Sequence, residues 1–240
     1  MAEKDDPRSC ANCAARACDD RSAEGEARAY PVFCLTERTP DAAFEEAAAL
    51  YRDDPDTARI FQAAAEVEGL YYSQLTRVEE VMVFAQRIGA RKIGIATCMG
   101  LIDEAQAFAR ILRAKGFDDV CAVACKVGAV AKERAGIPDD AKVHPGCFEP
   151  TCNPVMQARI LNDAGCDLNV IVGLCVGHDT LFMRHAEAPV TYLVVKDRVL
   201  AHNPAAALYT KGSYYKRLLS PDLPDPRPRA GEEGVSPAGA

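Results

Sequence analysis

The chain has 240 residues, is 49% hydrophobic and 26% charged, and carries a formal net charge of −7. That length suits one α/β domain, alone or with a small appendage, and buries enough surface to need no disulfides. The negative sign is wrong for a phosphate-backbone binder or an anionic membrane surface, and tryptophan is absent, so no nucleic-acid partner is expected.

The opening MAEKDDPRSCANC is acidic and lacks the apolar core of a signal peptide. No stretch approaches the roughly 20 apolar residues of a transmembrane helix. The expected location is the cytoplasm, away from membranes, where thiols are kept reduced. There, eleven cysteines read as metal-binding or catalytic before they read as disulfides, and an odd number argues further against a closed disulfide framework.

In chain order, residues 1–36 are cysteine-rich without apolar periodicity, so metal ligation would have to organise them as a small metal-binding segment. Residues 41–89 are helical by pattern. Asp41 can cap a helix carrying Phe44, Ala48 and Tyr51, and Asp56 another carrying Ile60, Ala64 and Val67. Val78, Val81, Ala85 and Ile88 mark the face of a third, ending at Gly89.

From residue 91 strands and helices alternate. Lys92–Thr97, Asp119–Ala124, Leu168–Leu174 and Val190–Val195 are the expected strands. Leu101, Ala105, Phe108 and Leu112 form one intervening helix face. A short helix is expected around Ala129–Ala135, and Asn153-Pro154 opens another with proline in its first turn. Asp179 can cap a helix over residues 180–186, and Lys196–Arg198 reads as a turn. The expected fold is α/β, a three-layer Rossmann-like parallel sheet with helices on both faces, preceded by the helical and cysteine-rich segments. Residues 37–219 form its main body. Residues 220–240 are Pro-rich and charged, which reads as a disordered tail.

Two cysteine groups stand out. Cys10, Cys13, Cys18 and Cys34 are spaced C-x2-C-x4-C-x15-C, a four-thiolate set that suits zinc and iron–sulfur clusters alike. In the core, Cys98, Cys125 and Cys175 fall at carboxyl ends of expected parallel strands, and Cys152 precedes a helix N-terminus. Ligands bind along that edge in open α/β sheets, and helix N-termini favour thiolates. These four are expected to hold a second cluster. His178 and Lys126 lie on the same edge and are the candidate catalytic groups, for proton transfer and charge control. Cys121 and Cys166 read as small buried hydrophobes, and Cys147 sits in an irregular loop as a fifth ligand, a labile thiol or a passenger. His202 has a weaker claim, and His144 and His185 almost none. Gly94, Gly100 and Gly128 build no nucleotide-binding motif.

The blocks IGIATCMGLIDEA, ACKVGA, CNPVMQARILNDAG, NVIVGLCVGHDTLF and APVTYLVVKDRVLAHNPAAALY resemble domain-of-unknown-function family 1847. It is a bacterial and archaeal group described as metal-binding. The opening C-x2-C-x4-C and Phe33-Cys34 fit it too, so the resemblance spans roughly residues 10 to 217. It implies that Cys98, Cys125, Cys152, Cys175 and His178 occupy the family's motif positions, and that Cys121, Cys147 and Cys166 lie outside them. It brings no established reaction.

The leading expectation is an iron–sulfur protein, 4Fe–4S at one or both sites, doing redox or cluster-based chemistry with a redox partner or small-molecule substrate. The others are a zinc-binding or metal-handling protein without catalysis, and a thiol-based sulfur-transfer or redox protein.

Overall fold

Four apolar runs separated by helices leave the backbone one economical arrangement, a parallel sheet sandwiched between helices. The computed structural model describes residues 10–19 and 29–221, and the chain divides into two compact units, Met1–Leu70 and Tyr71–Ala240. The expected tail therefore lies outside the described residues from position 222 onward. No helix among the described residues is long and apolar enough to cross a membrane.

The first unit holds two single 3₁₀ turns, Cys10–Asn12 and Ala17–Asp19, then α1 (Leu35–Arg38), α2 (Asp41–Asp53) and α3 (Pro55–Tyr71). Both expected caps shift. Pro40 takes the N-cap position of α2, leaving Asp41 inside the first turn. At α3, Asp54 rather than Asp56 accepts the Thr57 amide, at 2.8 Å. Pro55 can open that helix because it needs no N–H there. Tyr51 and Phe61 stack with ring centroids 4.1 Å apart, joining α2 to α3.

In the second unit α4 (Arg77–Arg87) starts at a capping box: Thr76 and Glu79 each accept the other's backbone amide. Then follow β1 (Lys92–Thr97), α5 (Ile102–Ala114), β2 (Asp119–Ala124), α6 (Pro154–Asp163), β3 (Leu168–Val172), α7 (His178–His185), β4 (Val190–Val194) and α8 (Ala205–Tyr209). The strands are all parallel in the order β2-β1-β3-β4. Right-handed crossovers put α5 on one face, with α6 and α7 together on the other.

β1 and β3 are the central pair. Every residue of β3 is buried, and so is every residue of β1 after Lys92. β3 stops at Val172, two residues sooner than its apolar run. Gly173 turns there with φ 71°, and a Cβ on it would lie 2.7 Å from the Leu101 side chain. Only glycine allows both the turn and the close approach.

Two other expectations are corrected. The helix around Ala129–Ala135 is a single 3₁₀ turn, Lys132–Ala135, ended by Gly136. Asp179 is not the cap of α7; Gly177 is, with φ 84°, and Asp179 instead accepts the Thr180 amide at 2.7 Å and the Tyr192 hydroxyl at 2.6 Å. The irregular stretch 126–151 is ordered by charge rather than apolar packing. Lys142 is only 2% exposed, and its ammonium bonds Asp139 at 2.8 Å, the Cys147 carbonyl at 2.7 Å, and Glu133. Lys132 pairs with Glu149 at 2.6 Å and holds that carboxyl down to about 2.

Beneath the central strands lies a second close approach. Asn169 in β3 is fully buried, and neither side-chain amide atom has a partner among the described residues. Its Oδ1 occupies space over Gly94, 2.1 Å from where a Cβ would sit. Gly94→Ala is expected to lower stability by about 1–3 kcal/mol, as overpacking does. In an Asn169→Ala background the same change should cost at least ~1 kcal/mol less, because the two sites share one space. Equal costs in both backgrounds, read by urea unfolding, would refute this packing.

Candidate functional site

Each cysteine of the core set sits where an element ends. Cys98 and Cys125 follow the last residues of β1 and β2, Cys152 lies just before α6, and Cys175 follows the turn that ends β3. With strand order β2-β1-β3-β4 the chain leaves β1 and β3 in opposite directions. Cys98 and Cys175 therefore flank the topological switch point, where open α/β sheets bind ligands. Backbone bonds stitch the loops together: Cys98 N–H to Val172 O (3.3 Å), Cys125 N–H to Thr97 O (2.8 Å) and Asn153 N–H to Cys125 O (2.7 Å). Asn153 caps α6 through the Met156 amide at 3.2 Å, with Pro154 behind it, and that cap fixes where Cys152 leaves the helix.

The sulfurs of Cys98, Cys125 and Cys152 come together. Cys125 and Cys152 Sγ are 3.8 Å apart, Cys98 lies near enough to Cys125 for each to shift the other's thiol, and the Met99 amide donates to Cys125 Sγ at 3.4 Å. Cys98 and Cys125 are buried, and Cys152 is partly so. Cys175 shares the edge, but its Sγ accepts from Arg198 at 2.9 Å.

These thiols divide the available protons unequally. Hydrogen bonding to Cys125 is the main reason Cys98 is lowered to about 4; burial opposes it, while Lys196 and the Gly100 amide assist. Lys196 Nζ stands 2.9 Å from the Cys98 sulfur. Cys125 is raised, chiefly by its closeness to Cys152 and Cys98, with burial adding to it. Cys152 falls to about 6, chiefly through Cys125, with Lys126 and His178 adding positive potential. The three thiols titrate as one interacting group, with Cys98 and Cys152 shifted toward thiolate and Cys125 toward the neutral thiol.

The sequence-predicted His178 is the first residue of α7. Its Nδ1 is shielded from water and has no hydrogen-bond partner among the described residues. Lys126 bonds the Pro150 carbonyl, so it ties the preceding loop as well as biasing Cys152. Cys166 is buried, which pushes its thiol up to about 11. Cys121 lies within β2 but is only half-buried, because β2 is an edge strand, so unlike Cys166 it is not the buried hydrophobe expected; Cys147 is exposed. His202 accepts the Asp197 amide through Nδ1 at 3.1 Å, closing the turn that carries Lys196 and Arg198. Those two cations were read from sequence only as a turn. The missed signal was two basic residues directly after a strand whose carboxyl end already held thiols.

In the first unit Cys10, Cys13, Cys18 and Cys34 all line one cavity of about 310 Å³, beside Tyr30 and Phe33. The Thr36 hydroxyl beside Cys34 holds its thiol below the usual range. Among the described residues no cysteine is disulfide-bonded. In neither place is a group of three or more Cys, His, Asp or Glu side chains closed into a shell that could hold a metal ion. Hydrogen bonds and cations hold the core thiols instead.

A parallel α/β sheet with thiols gathered at its switch point defines a Rossmann-like protein with a cysteine centre. The chain belongs to the family described as "Protein of unknown function (DUF1847)", which it matches over residues 34–193. That span takes in Cys34, the core cysteines and His178, and is narrower than the sequence blocks suggest: Cys10, Cys13, Cys18 and the Lys196–Arg198 turn fall outside it. A similar protein, "Uncharacterized protein MJ0455" of Methanocaldococcus jannaschii, is 46% identical over 164 residues, covering 68% of this chain and 82% of that one. No solved structure matches.

The thiol assignments predict a pH profile. In chelator-treated protein, Cys98 should be the first core cysteine alkylated by iodoacetamide, and Cys125 and Cys166 among the last. Its folded pKa is depressed, so the reactive thiolate persists as pH falls and is lost only near about 4; an ordinary thiol loses roughly tenfold per pH unit below about 8.5. A Cys98 rate that tracks the ordinary thiol would contradict the assignment.

Proposed function

We propose that this chain is a cysteine-ligated metalloprotein. Its working centre is Cys98, Cys125 and Cys152, holding an iron–sulfur cluster for redox or cluster-based chemistry. The observation that carries the reading is the convergence of three cysteines from three separate loops, two of their sulfurs 3.8 Å apart, at the switch point of a parallel sheet. Thiolate is the ligating form, and Cys98 and Cys152 are held in it near neutral pH. Cys175 completes a four-thiol set once its bond to Arg198 opens. Cys10, Cys13, Cys18 and Cys34 form the second site, around their common cavity.

A cluster bound at the core site supplies one-electron transfer, at a potential set by charge, burial and hydrogen bonds to sulfur. The chain's own residues provide those controls. Lys196 beside Cys98 offsets negative charge, the Met99 amide bonds a sulfur, and Lys126 raises the local potential. His178 keeps a sheltered ring nitrogen on which a proton can be held for a redox partner or a small-molecule substrate.

One observation favours a second reading, zinc held without catalysis. At a Zn–S bond of about 2.3 Å the edge of a tetrahedron is about 3.8 Å, which is the Cys125–Cys152 spacing. Thiolates on different irons of a four-iron cluster stand much farther apart.

Anaerobic purification followed by iron, sulfide and zinc analysis separates these readings. Brown protein containing iron and acid-labile sulfide is expected. Cys98→Ala, Cys125→Ala or Cys152→Ala should lose the core share, and Cys121→Ala and Cys166→Ala should keep it. Cys10→Ala with Cys13→Ala should remove a separate share. Colourless protein with stoichiometric zinc would replace the first reading by the second, and metal-free protein would sink both.

A further inference from the structure

Buried at the root of the core site is a polar side chain that apolar packing does not call for. Gln157 lies on the sheet-facing side of α6 and is fully buried. Its Nε2 donates to the Val123 carbonyl at 2.7 Å and to the Thr97 carbonyl at 3.1 Å. Thr97 is the residue before Cys98, and Val123 stands two before Cys125. The Gln157 backbone N–H donates to Asn153 O at 3.0 Å, and Asn153 is both the residue after Cys152 and, through its own backbone N–H, the donor to Cys125 O at 2.7 Å. One side chain thus ties together the ends of β1, β2 and α6, the three elements from which the clustered sulfurs hang.

Its Oε1 is buried without a partner among the described residues. An unpartnered buried oxygen is a standing cost, and methionine or leucine would fill the same space without it. The amide's use lies in its two donated bonds. The strand ends are already paired, Cys125 N–H to Thr97 O at 2.8 Å, so the sheet does not need Gln157 in order to form. What it adds is a fixed distance from the sheet to the helix that presents Cys152.

We propose that Gln157 is the positioning residue of the centre, setting the spacing of Cys152 against Cys98 and Cys125. The proposal rests on the metal-binding reading above, and its experiment separates the two. The full-length chain carries Cys10→Ser, Cys13→Ser and Cys18→Ser, so that the core site alone reports. Cobalt(II) alone is titrated into metal-free protein, and thiolate-to-cobalt charge-transfer absorption gives affinity and ligand number. Gln157→Met should keep its circular dichroism yet bind cobalt about 10–100-fold more weakly, the range for supporting residues around a metal. Leu161→Ala, one turn further along the same buried face, should lower stability and leave affinity and spectrum unchanged.

Unchanged affinity in Gln157→Met overturns the proposal, and so does an equal loss in Leu161→Ala. If Gln157→Met does not fold, Gln157→Glu is read in its place; it keeps the length and loses both donors when ionised. A parent protein that takes up no cobalt, and that holds neither iron nor zinc when purified anaerobically, refutes the metal reading. Phenylarsine oxide then decides the positioning role, since it joins two close thiols through two As–S bonds and releases one water. Capture mapped to Cys125 and Cys152 should slow at least tenfold in Gln157→Met; an unchanged rate overturns the proposal.

Discussion

The Thr97 carbonyl at the end of β1 accepts the Cys125 amide at 2.8 Å and the Gln157 side chain at 3.1 Å, and most of the site depends on that junction. A parallel sheet leaves backbone groups at its carboxyl edge with no further strand to meet, and buried backbone groups must find partners. Here the partners are drawn from residues next to the cysteines. Thr97 is itself fully buried, its hydroxyl within bonding reach of the Val172 carbonyl at 3.1 Å and the Cys98 and Leu101 carbonyls at 3.2 Å. Satisfying the backbone and placing the sulfurs are therefore one operation.

Electrostatics sets the second constraint. Neighbouring sulfurs cannot all ionise cheaply in a buried place. The molecule answers with a Cys125 thiol shifted toward its neutral form and with cations from a single turn. Lys196 reaches Cys98 and Arg198 reaches Cys175, each at 2.9 Å. Asp197 between them folds the turn on itself by accepting the Val199 and Leu200 amides at 2.9 and 2.8 Å. A rigid turn delivers two charges to two sulfurs, and a bound metal would have to compete with both.

Much of the fold was legible because buried parallel strands and amphipathic helices have distinct periods. KIGIAT and DVCAVA match β1 and β2 end to end, and Asn153-Pro154 marks the start of α6. Errors came where one glycine or one neighbouring carboxylate decides a boundary. Gly173 cuts β3 short, Gly177 takes the cap from Asp179, and Asp54 takes it from Asp56. At the site, Cys98, Cys125 and Cys152 could be placed on one edge because strand ends are visible in sequence. The partner of Cys175 could not, since a pairing with Arg198 depends on how β4 ends. Gln157 was hidden within an apolar helix stripe, and nothing in a one-dimensional pattern reports which way an amide donates.

The strand order also fixes a sequence of events during synthesis. β1 pairs with β2 on one side and with β3 on the other, Ile93 facing Val120 and Leu168. The ribosome therefore releases Cys98, Cys125 and Cys152 before the strand that buries β1 exists. Distant pairings of this kind form late, and the three thiols emerge ahead of the sheet that will hold them. A nascent chain halted before residue 168 carries every clustered sulfur, with β1, β2 and α6, but lacks the strand that pairs with the other side of β1.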